Sequence, residues 1–268
     1  MRLIKTKAAV AGVGLTLSMA ACGNAGTSDE GSDVQAAEDC DGKFEEGSKM
    51  AELADAGEIT AGVRYDQPGL GFKDAASDIP TGFDVEIAKL LISDLCIDPE
   101  DTSAVTYEET ISDNREPFLQ EGRVDLVAAS YSITPERQQI VGQTGPYFIT
   151  GQQLLVPKDS DVQSVDDLQG EEVCSVTGST SIENVEAKGM QPVPAETYSE
   201  CTDDVLNGTV AAVSTDGAIL LGLAAQNPDE LKVVGPEFSE ERIGIGYPKE
   251  NPETVSYTHL TLPTICSV

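Results

Sequence analysis

Outside its first 21 residues the chain has five arginines: Arg64, Arg115, Arg123, Arg137 and Arg242. A guanidinium binds a carboxylate through a planar two-point fork. Three of the five stand where α/β proteins meet their ligands, just past a strand end or at a helix start. Arg64 follows the strand-like run Ile-Thr-Ala-Gly-Val63. Arg115 closes Ser112-Asp-Asn-Arg115, which opens a helix through Pro117-Phe-Leu119. Arg137 falls in the first turn of a helix announced by Thr134 as N-cap and Pro135 at the first helical position. Ser130 and Ser132 follow the buried-strand run 124–129. Thr177-Gly-Ser179 follows Glu-Val-Cys-Ser-Val176, and Asp216 follows the run 210–213. A Gly-Ser segment at a helix N-terminus presents backbone N–H groups to an anion, and Asp216 offers a charge to an ammonium group. Together these residues fit a small zwitterion with an additional carboxylate, an acidic amino acid. Each has a plainer alternative: a surface ion pair for an arginine, a simple turn for Thr177-Gly-Ser-Thr-Ser181, a helix cap for Asp216, and core packing for Tyr65, Phe72 and Phe83.

The elements that must position these residues alternate in type. Phe83, Ile87, Leu90, Leu91 and Leu95 recur at helical spacing after Gly82. A new segment begins at Leu154-Leu-Val156, and Ser164-Val-Asp-Asp167 reads as a capped helix start. Strand runs alternating with helical runs predict α/β architecture with mainly parallel sheets. Two such halves joined near residue 150 predict two lobes with a cleft between them.

The chain has 268 residues, 40% of them apolar, enough for a sizeable core. It carries 47 acidic against 16 basic residues, net −31. That surplus argues against nucleic acid or anionic lipid as a partner bound by charge. The ends read differently from the middle. Residues 1–21 resemble a secretion signal, with Arg2, Lys5 and Lys7 before a short apolar stretch. Met19-Ala-Ala-Cys22 resembles the bacterial lipobox, in which the cysteine is lipidated; an ordinary signal that happens to contain a cysteine is the alternative. Residues 22–39, poor in large apolar side chains, read as a solvated tether. Residues 255–268 read as translated sequencing adapter, with a natural β-rich tail as the alternative. On that reading the native end lies beyond about residue 254, and the single histidine, His259, is not native. Removing the leader leaves 13 cations and 47 acids, net −34.

Of six cysteines, Cys22 belongs to the lipobox and Cys266 to the suspect tail. The other four suit disulfides in an exported protein, with three pairings possible. Cys174 with Cys201 is favoured because both fall in one half of the chain, and Cys40 with Cys96 then remains; buried free thiols are the alternative. There is no CxxC or zinc-type spacing, so no metal or other cofactor is expected.

Seven stretches in order resemble the family-3 extracellular solute-binding proteins of ABC importers, especially the actinobacterial glutamate-binding lipoproteins. They are Val63-Arg-Tyr-Asp-Gln-Pro-Gly69, Gly82-Phe-Asp-Val-Glu-Ile-Ala88, Asn114-Arg-Glu-Pro-Phe-Leu-Gln-Glu-Gly122, Thr134-Pro-Glu-Arg137, Gly145-Pro-Tyr147, Cys174-Ser-Val-Thr-Gly-Ser-Thr180 and Thr197-Tyr-Ser-Glu-Cys201. The resemblance covers roughly residues 40–254. It implies a two-lobe periplasmic-binding-protein-like fold of type II, with lobe 1 over 40–151, lobe 2 over 152–240 and a return to lobe 1 over 241–254. It implies that Arg137 clamps a ligand α-carboxylate with Ser130, Ser132 and Ser179, and that Asp216 accepts the α-ammonium; Thr177 is a further ligand-binding candidate. Arg64, Ser112 and Arg115 would hold a side-chain carboxylate, and Tyr198 would line the cleft. The Cys174–Cys201 pair matches one found in this subgroup.

Two departures stand out. The acidic residue common in the stretch before the ammonium-binding aspartate is replaced in Val210-Ala-Ala212. A terminal amphipathic helix, often bearing tryptophan, is expected on lobe 1, but the chain has no tryptophan and stops early. Its absence would expose an apolar face prone to aggregation.

The expected action is capture by closure. The lobes would swing about crossings near 150–153 and 240–243, and a lipid-anchored monomer on the outer face of the cell membrane would hand its cargo to an ABC permease. An enzyme of dehydratase type, a receptor sensor domain and a glutamine binder are the rivals. Against an enzyme stand the lack of native histidine and of a Gly-x-Ser-x-Gly turn.

Overall fold

The computed structural model describes Ala36 and residues 42–250. The secretion signal, Cys22, Cys40, the adapter-like tail and the expected terminal helix all lie outside the described residues.

The first helix among the described residues is α1 (Lys49–Ala56), capped by the Ser48 hydroxyl, which accepts from Ala51 N–H, and closed by Gly57 in the left-handed region. Strand β1 (Ile59–Val63) leads to a small hairpin, β2 (Asp66–Gln67) and β3 (Gly71–Phe72), and then to α2 (Phe83–Asp94). Strand β4 (Val105–Glu109), a 3-10 turn at Ser112–Asn114, α3 (Arg115–Gln120), β5 (Leu126–Ser132), α4 (Arg137–Ile140) and β6 (Gly142–Thr150) complete this half. The next half holds β7 (Gln152–Pro157), a 3-10 turn at Val165–Leu168, β8 (Glu172–Val176), α5 (Thr180–Ala187), β9 (Gln191–Ala195), α6 (Tyr198–Leu206), β10 (Ala212–Asp216), α7 (Gly217–Gln226) and β11 (Leu231–Val234). Strand β12 (Glu241–Tyr247) follows.

Two five-stranded sheets result, ordered β4-β1-β5-β12-β6 and β11-β7-β10-β8-β9. The expectation of mainly parallel sheets needs correction, because both are mixed. Strands β4, β1 and β5 are parallel, but β12 runs antiparallel to β5 and to β6. In the second sheet β9, β8 and β10 are parallel, while β7 runs antiparallel to β10 and β11. The reversed strands are those that carry the chain between lobes. Strand β6 passes directly into β7 at Gly151, and the return crossing spans 235–240, just ahead of the expected 240–243. The two crossings touch: Gln152 N–H donates to Ser239 Oγ (3.1 Å), and Phe238 N–H donates to the Gln152 carbonyl (3.0 Å).

Each sheet is covered on both faces. Along β5, Leu126 and Ala128 join the core under α1 and α2, while Val127, Ala129 and Tyr131 join the one under α3. Strand β7 alternates likewise, with Leu155 on the α6–α7 side and Leu154 and Val156 on the α5 side. This is the two-residue period of a pleated strand. Helix α2 buries Val85, Ile87, Ala88, Leu91 and Ile92; Leu90, expected on that face, is 45% exposed because Ala88 and Ile92 cover the sheet instead. Cys174 of β8 and Cys201 of α6 form a disulfide, and Cys96 is disulfide-bonded as well. Among the described residues no helix is long and apolar enough to cross a membrane.

Candidate functional site

The strand ends of both sheets face one polar cavity. It is lined by Gln67, Ser112, Arg115, Ser130, Ser132 and Arg137 from one lobe, and by Ser179, Thr180, Ser181, Tyr198, Thr215, Asp216 and Ile219 from the other. Its free volume is about 10 Å³, room for about one water molecule. The lobes are therefore closed on each other.

The arginines separate into two kinds. Arg123 and Arg242 are half exposed and pair with Glu108 and Glu240 on the surface, as the plain alternative has it. Arg64, Arg115 and Arg137 are buried. Arg137 begins α4, two residues later than expected, and the Thr134 hydroxyl accepts from its N–H (3.2 Å). Its Nε faces Glu116 (3.2 Å), Nη1 donates to the Ser132 carbonyl (2.8 Å) and Nη2 to the Gly178 carbonyl (2.9 Å). Arg115 begins α3 and donates only to carbonyls, those of Ser112, Ala129, Ser130 and Gly178. The Tyr131 ring lies against both guanidinium groups, 4.5 Å from Arg115 and 5.1 Å from Arg137. Burial, and then the charge of Arg137, bring the Arg115 pKa down to about 9. The group remains a cation. The meaning of the shift is that two buried positive charges share one wall, and of the two only Arg137 has a carboxylate in contact.

Across the cavity Asp216 ends β10. It occupies the N-cap position of α7, yet its side chain makes no capping bond, so the cap alternative fails. Its Oδ1 is buried with no hydrogen-bond partner in the protein. Burial, and then the nearby Glu241, push its pKa up to about 8. A buried carboxylate oxygen left unpaired is costly, and a cationic hydrogen-bond donor would relieve it.

Two expected residues stand elsewhere. Arg64 is not on the cavity wall: Asp66, two residues along, turns back and takes its Nε and Nη2 at 2.7 and 2.6 Å, leaving only a long 3.5 Å approach from Nη1 to Ser112 Oγ. Thr177 is exposed, because the left-handed turn at Gly178 carries the chain inward only from Ser179 on. Ser179 lines the cavity, but its hydroxyl serves the backbone, donating to the Val176 carbonyl and accepting from Ile182 N–H as the cap of α5. Tyr198 lines it too, and its hydroxyl accepts from Thr215 Oγ1 (2.6 Å).

Several wall residues were not singled out from the sequence. Gln67 accepts from Ser130 Oγ (2.7 Å). Thr180 and Ser181 extend the Thr-Gly-Ser run, and Thr215 precedes Asp216; adjacency to a chosen residue was the only available signal. Ile219 could not be told from a core residue. Beneath the wall, Asp84 accepts from Ser130 N–H (2.7 Å) and the Tyr147 hydroxyl (2.7 Å), and its Oδ2 shares with Gln67 the one proton of the Ser130 hydroxyl (3.0 Å). It holds Ser130 in the left-handed region, at φ 45°. Among the described residues no group of three or more metal-ligating side chains is present.

Comparison with known proteins fits this geometry. The chain is 38% identical to the glutamate-binding protein GluB of Corynebacterium efficiens, over 82% of this chain and 78% of that one. It is 34% identical to the ABC transporter glutamine-binding protein GlnH of Bacillus subtilis, over 86% and 81%. An ancestral arginine-binding protein bound to glutamine superposes with a TM-score of 0.70 at 34% identity, covering 77% of this chain and 90% of that one. These relatives are solute-binding proteins, not enzymes. The model of one family matches residues 59–265, and the chain belongs to it: the bacterial extracellular solute-binding proteins, family 3.

Proposed function

We propose that this amino-acid-binding protein takes an acidic amino acid, L-glutamate before L-aspartate, and delivers it to an ABC permease from a lipid anchor at Cys22 on the outer face of the membrane. One observation carries the ligand reading: Arg115 and Arg137 stand together on one wall of the cavity, opposite the unpaired Asp216 oxygen. Arg137 takes the α-carboxylate and Asp216 the α-ammonium. Arg115 is then left for a second carboxylate, since Arg64 is already neutralised by Asp66. The same neutralisation favours glutamine as the second reading, because one of the two arginines expected at the side-chain end is spent. The relatives named above include a glutamate-binding and a glutamine-binding protein.

Calorimetric titration of the soluble domain with L-glutamate, L-aspartate and L-glutamine tests this. A charge-assisted hydrogen bond is worth about 1.5–3 kcal/mol, so Arg115→Gln should weaken glutamate roughly 10- to 100-fold and glutamine by much less. Equal weakening of both overturns the acidic reading. Arg137→Ala should abolish measurable binding of all three.

A further inference from the structure

The β2–β3 hairpin makes one group of contacts that the proposed ligand contacts do not use. The β2–β3 hairpin belongs to lobe 1 by its fastening: the Phe83 and Asp84 N–H groups at the start of α2 donate to the Gly69 and Leu70 carbonyls (both 2.9 Å). These are two of the N–H groups that a helix start leaves free, so the tip is rigidly held. Yet its side chains are seated in lobe 2. Leu70 belongs to the buried apolar cluster of Ile219, Leu220 and Leu223 on α7. Asp66 Oδ2, while paired with Arg64, also accepts from the Tyr198 N–H at the first residue of α6 (2.7 Å). The Arg64 guanidinium lies 5.9 Å from the Tyr198 ring centre. Helix α7 meets the hairpin at Gly222, where an added Cβ would fall on the Pro68 carbonyl oxygen, and the three nearest atoms it would meet are all in Pro68.

We propose that the hairpin from Asp66 to Phe72 is a clasp that closes the lobes, with Asp66 and Leu70 as its two grips and Gly222 as its seat. Arg64 then serves closure: it holds the Asp66 carboxylate in line with the α6 N-terminus, where the helix dipole favours an anion. The contacts cross from one lobe to the other, so separating the lobes breaks them. They therefore add to the closed form alone and set how long a ligand is held. A ligand whose competent state is less populated binds more weakly by the fraction lost. This inference rests on the ligand reading above only for the choice of probe.

The test uses Gly222→Ala and Asp66→Asn, each with L-glutamate, L-glutamine and no ligand. The three nearest atoms that the alanine meets all belong to the hairpin of lobe 1, and alanine is the better helix former, so the ligand-free melting temperature of Gly222→Ala should equal or exceed that of the parent. Its Kd for glutamate should rise at least tenfold through faster dissociation, and small-angle scattering at saturation should give a larger radius of gyration. Asp66→Asn should speed dissociation in the same sense. Parent-like Kd, within twofold, and parent-like scattering for Gly222→Ala overturn the clasp. If the parent binds none of the amino acids offered, the ligand reading fails alone. The clasp is then judged by scattering, where Gly222→Ala must remain more extended than the parent.

Discussion

Asp216 shows what a single residue can report. Burial and the neighbouring Glu241 raise its pKa to about 8, so at neutral pH most molecules hold it neutral. On the proposed reading Asp216 receives the ligand's ammonium group as the carboxylate, so binding below pH 8 expels a proton. Affinity should rise as pH increases from 6 to 8, by at most about tenfold per pH unit. Calorimetry in buffers of different ionisation enthalpy would count the proton released, and Asp216→Asn should lose both the release and the slope. The same shift acts on folding with a definite sign. The folded state binds this proton more tightly than the unfolded chain does. Its contribution is full below the ordinary carboxyl pKa and is lost as pH rises through about 8. Asp216→Asn should therefore flatten the decline in ligand-free melting temperature between pH 5 and 8, and an unchanged decline would refute the assignment. The sequence marked Asp216 by its place after a strand. It could not distinguish a cap from an unpaired carboxyl oxygen, because that depends on where the α7 N–H groups point.

At the scale of elements, the disulfide joins β8 to α6 three residues after Tyr198. It stands between two cavity-forming segments, Ser179 beyond the end of β8 and Tyr198 at the start of α6. Cys174 also pairs with Val213 of β10, in the strand that ends at Asp216. Closing a loop with a sequence separation of 27 should stabilise the fold by ~2–4 kcal/mol. Replacing both cysteines by alanine should lower the denaturation midpoint accordingly, and a loss below 1 kcal/mol would mean that lobe 2 is held by packing alone. Strand boundaries came close from the sequence: Ile59–Val63 and Glu172–Val176 stand where the apolar runs are, because each run fills a sheet covered on both faces. Strand direction did not, since β7 and β12 read like any other apolar strand and are reversed only by the crossings they serve.

The whole molecule carries net −31, while its cavity wall holds two buried arginines, Arg115 and Arg137. A ligand with net negative charge meets repulsion on approach and attraction on arrival. Salt screens the first more than the second, with a Debye length of ~10 Å at 0.1 M. The association rate of glutamate should therefore rise with ionic strength while that of net-neutral glutamine stays nearly flat. Stopped-flow measurement at 20 and 300 mM NaCl would show it, and parallel behaviour of the two ligands would contradict an acidic cargo. The melting temperature should also rise with salt, as mutual repulsion of the surface acids is screened.

By itself the sequence determined the α/β class, the two halves and most polar wall residues of the cavity, because strand ends and helix starts are local patterns that a chain writes in order. The mixed sheets, the neutralisation of Arg64 by Asp66, the unpaired oxygen of Asp216 and the seating of Leu70 in the other lobe were decided by tertiary structure alone. Each depends on which surface meets a residue from far along the chain, and no periodicity within a segment records what will be packed against it.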